Sequence, residues 1–101
     1  MVEQRLVVNE TGVARWWSRG REEVRWDALS RVEIVTTDDG PFAEDFFWLL
    51  VGDDGGGVCV GGADAVAVSL LRILGERLPG LDHAAVIAAC GSCTPARFLV
   101  W

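Results

Sequence analysis

Cys90 and Cys93 are separated by two residues, which is the spacing of redox-active and zinc-binding cysteine pairs. In thioredoxin-type sites the first cysteine lies at the N-terminus of a helix, where the helix dipole lowers the pKa of the thiol. Here the pair follows a predicted helix and lies at its negative end, where the helix dipole does not favour a thiolate. A zinc site would need two more ligands, for which Cys59 and His83 are the only good candidates. We therefore interpret Cys90 and Cys93 as small packing residues and keep thiol redox or metal chemistry as an alternative.

The carboxylates concentrate in the middle of the chain. No basic residue occurs between Arg31 and Arg72, an interval with eight acids, and the charges of +1, −8 and +1 along the chain give the net charge of −6. Paired carboxylates bind hard cations, but the spacing from Asp38 to Asp45 does not match a calcium-binding loop. Such acids either solvate the edges of an apolar sheet or speed the encounter with a basic partner. The candidate partner-binding residues in the two predicted acidic loops are Asp38, Asp39, Glu44, Asp45, Asp53 and Asp54.

Arginine and tryptophan interleave between Arg15 and Trp26, a composition that could bind phosphates or stack on bases. Strand alternation, however, places Trp16 and Trp17 on opposite faces, so at least one of them is expected in the core. The negative net charge argues against a nucleic-acid binder. The glycine-rich stretch 55–62 lacks the lysine of a Walker phosphate loop, and the chain contains no lysine at all.

The sequence contains few candidate residues for acid–base or nucleophilic catalysis. His83 is the only histidine, and none of the serines has the sequence context of a nucleophile elbow. We therefore predict a protein that is not an enzyme, with no catalytic residue, no cofactor and no metal.

The first sixty residues predict a meander of short antiparallel strands, because apolar stretches alternate with glycine and aspartate turns. Gly12 is expected to take a positive φ in the first turn. The segment Asp53-Asp54-Gly55 predicts a hairpin. The run from Phe46 to Val51 is apolar on both faces, which predicts a central strand covered on both sides.

The remaining residues change to helical spacing. Asp64 is predicted to cap a helix that ends at Leu78-Pro79-Gly80, where proline stops it. Asp82 is predicted to cap a second, short helix that ends at a left-handed Gly91. A final strand is predicted from Ala96 to Trp101. The order of elements indicates an α+β fold, with an antiparallel meander sheet, two C-terminal helices and a final strand.

A glycine turn at Thr11-Gly12-Val13 precedes a hairpin, and Trp26 then opens the pattern W-x-x-L-x-x-V-x-I, which ends at Ile34. This combination resembles small bacterial pleckstrin-homology-like (GRAM-like) domains and implies their N-terminal strand meander. Such domains end in one long helix, whereas two helices and a strand are predicted here. Most of the chain is also similar to a family of uncharacterised small bacterial proteins, through residues 36–50, 78–82 and 98–101.

Length and composition favour one domain over residues 1–101, with 50% hydrophobic residues. No apolar run is long enough to span a membrane and no signal-peptide pattern is present, so we expect a cytoplasmic protein. Nine arginines without a lysine, beside many Ala, Gly and Val, are typical of GC-rich bacterial genes. Our leading hypothesis is a self-associating protein-interaction domain, a homodimer through an exposed apolar patch that includes Trp17, Trp48 and Trp101. The alternative is a small acidic immunity-type protein that binds a basic toxin or nuclease.

Overall fold

A computed structural model describes residues 5–18, 20–37, 46–53, 55–92 and 94–101. The strands within these ranges are β1 (Arg5–Val8), β2 (Gly12–Trp17), β3 (Gly20–Arg25), β4 (Leu29–Thr36), β5 (Phe46–Gly52), β6 (Gly57–Gly61) and β7 (Ala96–Leu99). The helices are α1 (Gly62–Ala67), α2 (Leu70–Arg77) and α3 (His83–Cys90), and a 3-10 turn covers Trp26–Ala28. In the part of the chain that the structure describes, no helix is long and apolar enough to cross a membrane.

β1, β2 and β3 form a three-stranded antiparallel sheet. The side chain of Asn9 closes the first turn by accepting hydrogen bonds from the backbone N–H groups of Thr11 and Gly12, at 2.9 and 3.2 Å. The expected positive φ at Gly12 is wrong. Glycine is needed there for space instead, because a Cβ would collide with the carbonyl oxygen of Val24 in the neighbouring strand.

The other four strands form a second antiparallel sheet in the order β6-β5-β4-β7. β5 lies inside this sheet, as predicted, and its hairpin with β6 contains Gly55 at φ 85°. The α+β class, with C-terminal helices followed by a final strand, is therefore confirmed. The strands are divided between two sheets, however, where the sequence predicted one meander. The division falls at the 3-10 turn Trp26–Ala28, which separates β3 from β4.

The predicted long helix is two helices. α1 ends at Ala67 and α2 begins at Leu70, because Ser69 takes the left-handed conformation, with φ 57° and ψ 45°. Asp64 lies in the first turn of α1, whose N-cap is Gly61, so the prediction that Asp64 caps the helix is wrong. The apolar spacing continues through Ser69, which is why the sequence predicted a single helix.

The start of α3 is as predicted. The Oδ1 atom of Asp82 accepts a hydrogen bond from the backbone N–H of Ala85 at 3.0 Å, which caps the helix. The backbone N–H of Asp82 donates to the carbonyl of Val100 at 2.8 Å and ties the helix to the chain after β7. Gly91 has φ −89° and ψ −2°, so the predicted left-handed stop is wrong.

The core draws on both sheets and all three helices. On the second sheet, core residues lie side by side on neighbouring strands in two rows. One row is Val32, Leu50 and Val58, and the other is Ile34, Trp48 and Val60. The first sheet and the helices add Val13, Val24, Ala65, Leu70, Leu74 and Val86. Successive side chains on a strand point to opposite faces. The other face of the second sheet is therefore turned away from this core.

Candidate functional site

The acidic loops are described only in part. Asp53 is exposed directly after β5, and its backbone N–H donates to the carbonyl of Ala28 at 2.8 Å. The other candidate partner-binding acids, Asp38, Asp39, Glu44, Asp45 and Asp54, lie outside the described residues. The acidic docking surface therefore stays a prediction.

The three tryptophans of the expected interface do not form one exposed patch. Trp48 is only 4% exposed and belongs to the core, so its predicted exposure is wrong. The physical reason is strand alternation, which places this ring on the inner face of β5. Trp17 is partly buried, with the guanidinium carbon of Arg15 4.7 Å from its ring centroid. Trp101 is partly buried too, and its indole Nε1–H donates to the carbonyl of Pro79 at 3.0 Å.

The two cysteines that the structure describes, Cys59 and Cys90, are both free thiols. Cys90 is the exposed last residue of α3, whereas Cys93 lies outside the described residues. Cys59 is half-buried in β6, and burial raises the pKa of its thiol. The nearby Arg15 lowers that pKa and Glu22 raises it, both less than burial does. Within the described ranges, no group of three or more His, Cys, Asp or Glu residues could hold a metal ion.

The second sheet presents a surface of a different kind on the side away from the core. Paired residues on neighbouring antiparallel strands point to the same face. The strand register therefore brings nine side chains together in three cross-strand rows. We call this surface the outer face; its rows are Arg31 and Val51, then Glu33, Leu49, Cys59 and Leu99, then Val35, Phe47 and Arg97.

Six of the nine outer-face side chains are apolar. Leu99 is 60% exposed, and the other five apolar side chains are each partly exposed. None of the six belongs to the core, nor to the partly buried residues that pack against the core. Interaction sites of folded proteins commonly contain contiguous exposed apolar surface.

A carboxylate that is paired with two arginines lies at the centre of the outer face. Glu33 is 8% exposed, and its Oε2 atom lies 3.2 Å from Nε of Arg31. Its Oε1 atom lies 3.9 Å from Nε of Arg97. The one acid of the outer face is thus paired with two arginines, so this surface has a net charge of +1 in a chain of −6.

The fold is that of a small α+β domain, and the outer face is a partly exposed, mostly apolar surface on its second sheet. Comparisons of the chain with protein-family models, with curated proteins and with solved structures found no match. The resemblance to pleckstrin-homology-like domains therefore stays an interpretation of the sequence, and any functional assignment rests on the surface itself.

The outer face was not predicted from the sequence, although the apolar pattern of β5 indicated it. The run from Phe46 to Val51 is apolar on both faces, and we expected both to be covered. In the structure Trp48 and Leu50 pack in the core, whereas Phe47 and Leu49 lie on the outer face. The period-two pattern identifies a strand with two apolar faces, but it does not say whether the same chain covers them both.

Proposed function

We propose that the chain is a non-enzymatic protein-interaction domain that self-associates through the outer face of its four-stranded sheet. One observation carries this proposal: β5 is apolar on both faces, but only the face with Trp48 and Leu50 belongs to the core. Strands with this pattern are typical of sheets that are covered on both sides. A second copy would cover the other face through a two-fold interface, in which the same surface of each copy meets the other.

The charge distribution supports a second copy as the partner. Two chains of net charge −6 repel each other over most approaches. The outer face is an exception, because Glu33 is paired there with Arg31 and Arg97. Two outer faces, each with a net charge of +1, can therefore meet without bringing unpaired acids together, and the repulsion between them is smaller than that between two whole chains of −6.

The size of the outer face sets the expected affinity. Four strands spaced about 4.8 Å apart give the outer face its width, and about five residues per strand with a rise of about 3.4 Å each give its length. The product is a flat area of about 300 Å². Stable complexes bury about 800 Å² of accessible surface per partner. The outer face is smaller than this, so we expect a weak, reversible dimer that forms at high concentration and dissociates on dilution.

Sedimentation equilibrium over a range of concentrations tests the proposal. The wild-type chain should approach twice its mass of 11.0 kDa at high concentration and return to the monomer on dilution. Leu99→Ser should weaken the dimer by more than tenfold, since burial of a leucine side chain contributes about 1.5–3 kcal/mol and a two-fold interface contains two copies of Leu99. Ile87→Ser is the matched control, because Ile87 is 72% exposed on α3 and lies outside the outer face.

Two results would overturn the proposal. One is a monomer at every concentration. The other is an equal loss of association in Leu99→Ser and Ile87→Ser, which would place the contact elsewhere or make it unspecific. Circular dichroism of both variants separates a lost contact from a lost fold.

A further inference from the structure

A second apolar feature lies on the opposite side of the second sheet, between the helices and the start of β5. It is a groove of about 480 Å³, which is within the range of roughly 300–1,000 Å³ that is typical of small-molecule sites. Its lining includes Phe46, Trp48, Ala65, Leu70 and Val86. It shares no residue with the outer face, so an inference from it is independent of the proposed self-association.

The floor of the groove consists of buried side chains, and its rim is exposed. Trp48, Leu70 and Val86 are core residues, and the ring of Trp48 meets that of Phe46 edge-on, with centroids 6.1 Å apart. Val66, on the rim, is 80% exposed. A preformed concave site with an apolar floor suits a ligand whose body is a hydrocarbon.

Arg72 gives the groove a charge at one side. It is the one charged residue among the described lining residues. Its Nη1 atom lies 3.4 Å from Oε1 of Glu76, one helical turn away, and both side chains are mostly exposed. Such exposed pairs are weak, and a guanidinium has five N–H donors, so a ligand carboxylate can bind Arg72 beside or instead of Glu76.

We propose that this groove binds a medium-chain aliphatic monocarboxylate, with the chain against Trp48 and Leu70 and the carboxylate at Arg72. The charge of Arg72 argues for the acid over a neutral hydrocarbon, because charge-assisted hydrogen bonds are the stronger kind. The volume argues for medium length, since about 30 Å³ per atom of liquid leaves room for about 16 non-hydrogen atoms. Decanoate fits within this limit.

The proposal is tested by titrating the full chain with sodium decanoate and recording the titration by nuclear magnetic resonance and by isothermal calorimetry. Decanoate should bind and shift the signals of groove residues such as Ala65 and Val66, and not those of Leu49 and Leu99 on the outer face. Decanol, with the same chain and no charge, should bind about tenfold more weakly. Hexanoate should also bind more weakly, because it covers less of the floor.

Variants distinguish the contribution of the Arg72 charge to ligand affinity from that of the apolar surface. Arg72→Gln should weaken decanoate about tenfold and leave decanol unchanged. Arg25→Gln is the matched control, because Arg25 is a similarly exposed arginine, paired with Asp27 at 3.1 Å, outside the groove. Val66→Ser should weaken both ligands to a similar extent, since it removes apolar surface from the rim.

Any of four results would overturn the proposal. The groove is not a carboxylate site if decanoate binds no better than decanol, or if Arg72→Gln and Arg25→Gln reduce the affinity for decanoate equally. Shifts confined to the outer face would place binding at the other surface. Loss of self-association in Val66→Ser, without binding of decanoate by the wild type, would show that a second copy occupies the groove instead.

Discussion

The Oε1 atom of Glu22 in β3 accepts a hydrogen bond from the backbone N–H of Cys59 in β6 at 3.1 Å. The same oxygen lies 3.0 Å from Nη2 of Arg15. β6 is an edge strand of the second sheet, and free N–H groups on such an edge invite pairing with other chains. One carboxylate thus joins the two sheets, satisfies a backbone donor at the edge and is neutralised by an arginine.

Removal of this carboxylate should destabilise the fold. Glu22→Leu leaves the N–H of Cys59 and the charge of Arg15 without their shared partner, so the free energy of unfolding should fall by about 1–3 kcal/mol. Glu22→Gln keeps an acceptor and should lose less. Glu23→Leu, at an exposed neighbouring position on the opposite face of β3, is the control. Urea unfolding measures all three, and equal losses at positions 22 and 23 would contradict the linking role of Glu22.

The same contact should control the reactivity of Cys59. Burial raises the pKa of the Cys59 thiol, and Glu22 adds to that increase, whereas Arg15 opposes it. Because the thiolate is the reactive form, Cys59 should be alkylated more slowly near neutral pH than the exposed Cys90. Glu22→Gln removes a contribution that raises the pKa, so it should speed the labelling of Cys59.

Mass spectrometry of peptides after iodoacetamide treatment at several pH values measures these rates. The rate at Cys90 in Glu22→Gln is the internal control, because this residue lies in α3. Unchanged labelling of Cys59 in a folded Glu22→Gln protein would show that the carboxylate does not influence the thiol.

The junction between α1 and α2 should tolerate glycine and reject branched residues. Ser69 holds φ 57° and ψ 45°, a conformation that costs about 1–2 kcal/mol for residues with a Cβ. Ser69→Gly should leave stability unchanged or slightly increased, since lower strain offsets the greater backbone freedom of unfolded glycine. Ser69→Val should lose more than 1 kcal/mol, because β-branched residues are outliers in this region. Thermal unfolding of the two variants checks the difference, and equal stabilities would refute it.

Two glycines should respond to alanine in opposite directions. At Gly12 a Cβ collides with the backbone of Val24, so Gly12→Ala should lower the free energy of unfolding by about 1–3 kcal/mol. At Gly75, inside α2, the nearest atom to a Cβ is Cε1 of His83 at 3.7 Å, an ordinary contact. Gly75→Ala should therefore stabilise the protein by up to about 1 kcal/mol through helix propensity. Chemical denaturation compares them, and a loss of stability at both positions would contradict this account.

Local patterns predicted the elements better than their arrangement. The hairpin at Gly55 and the cap at Asp82 follow from short-range chemistry, and the structure has both. The break at Ser69 could not be predicted, because a left-handed serine leaves no mark in the apolar spacing. The burial of Trp48 depends on which face of β5 meets the core, and that choice is made by contacts with distant elements.

The candidate surfaces were harder to predict for the same reason. The outer face assembles from four strands whose order, β6-β5-β4-β7, depends on long-range pairing. The groove is lined by residues of three helices, of the junction between α1 and α2, and of β5. Composition indicated an excess of apolar residues, but only the tertiary fold shows where Leu49 and Val66 reach the surface.

The central claim is that copies of the chain meet through the outer face. Methyl chemical shifts recorded during serial dilution test it most directly, because they report association and its location together. We predict concentration-dependent shifts at Val35, Leu49, Val51 and Leu99, with Ile87 unchanged. Shifts that are absent at every concentration, or that are confined to Ile87 and the other helical residues, would contradict the account.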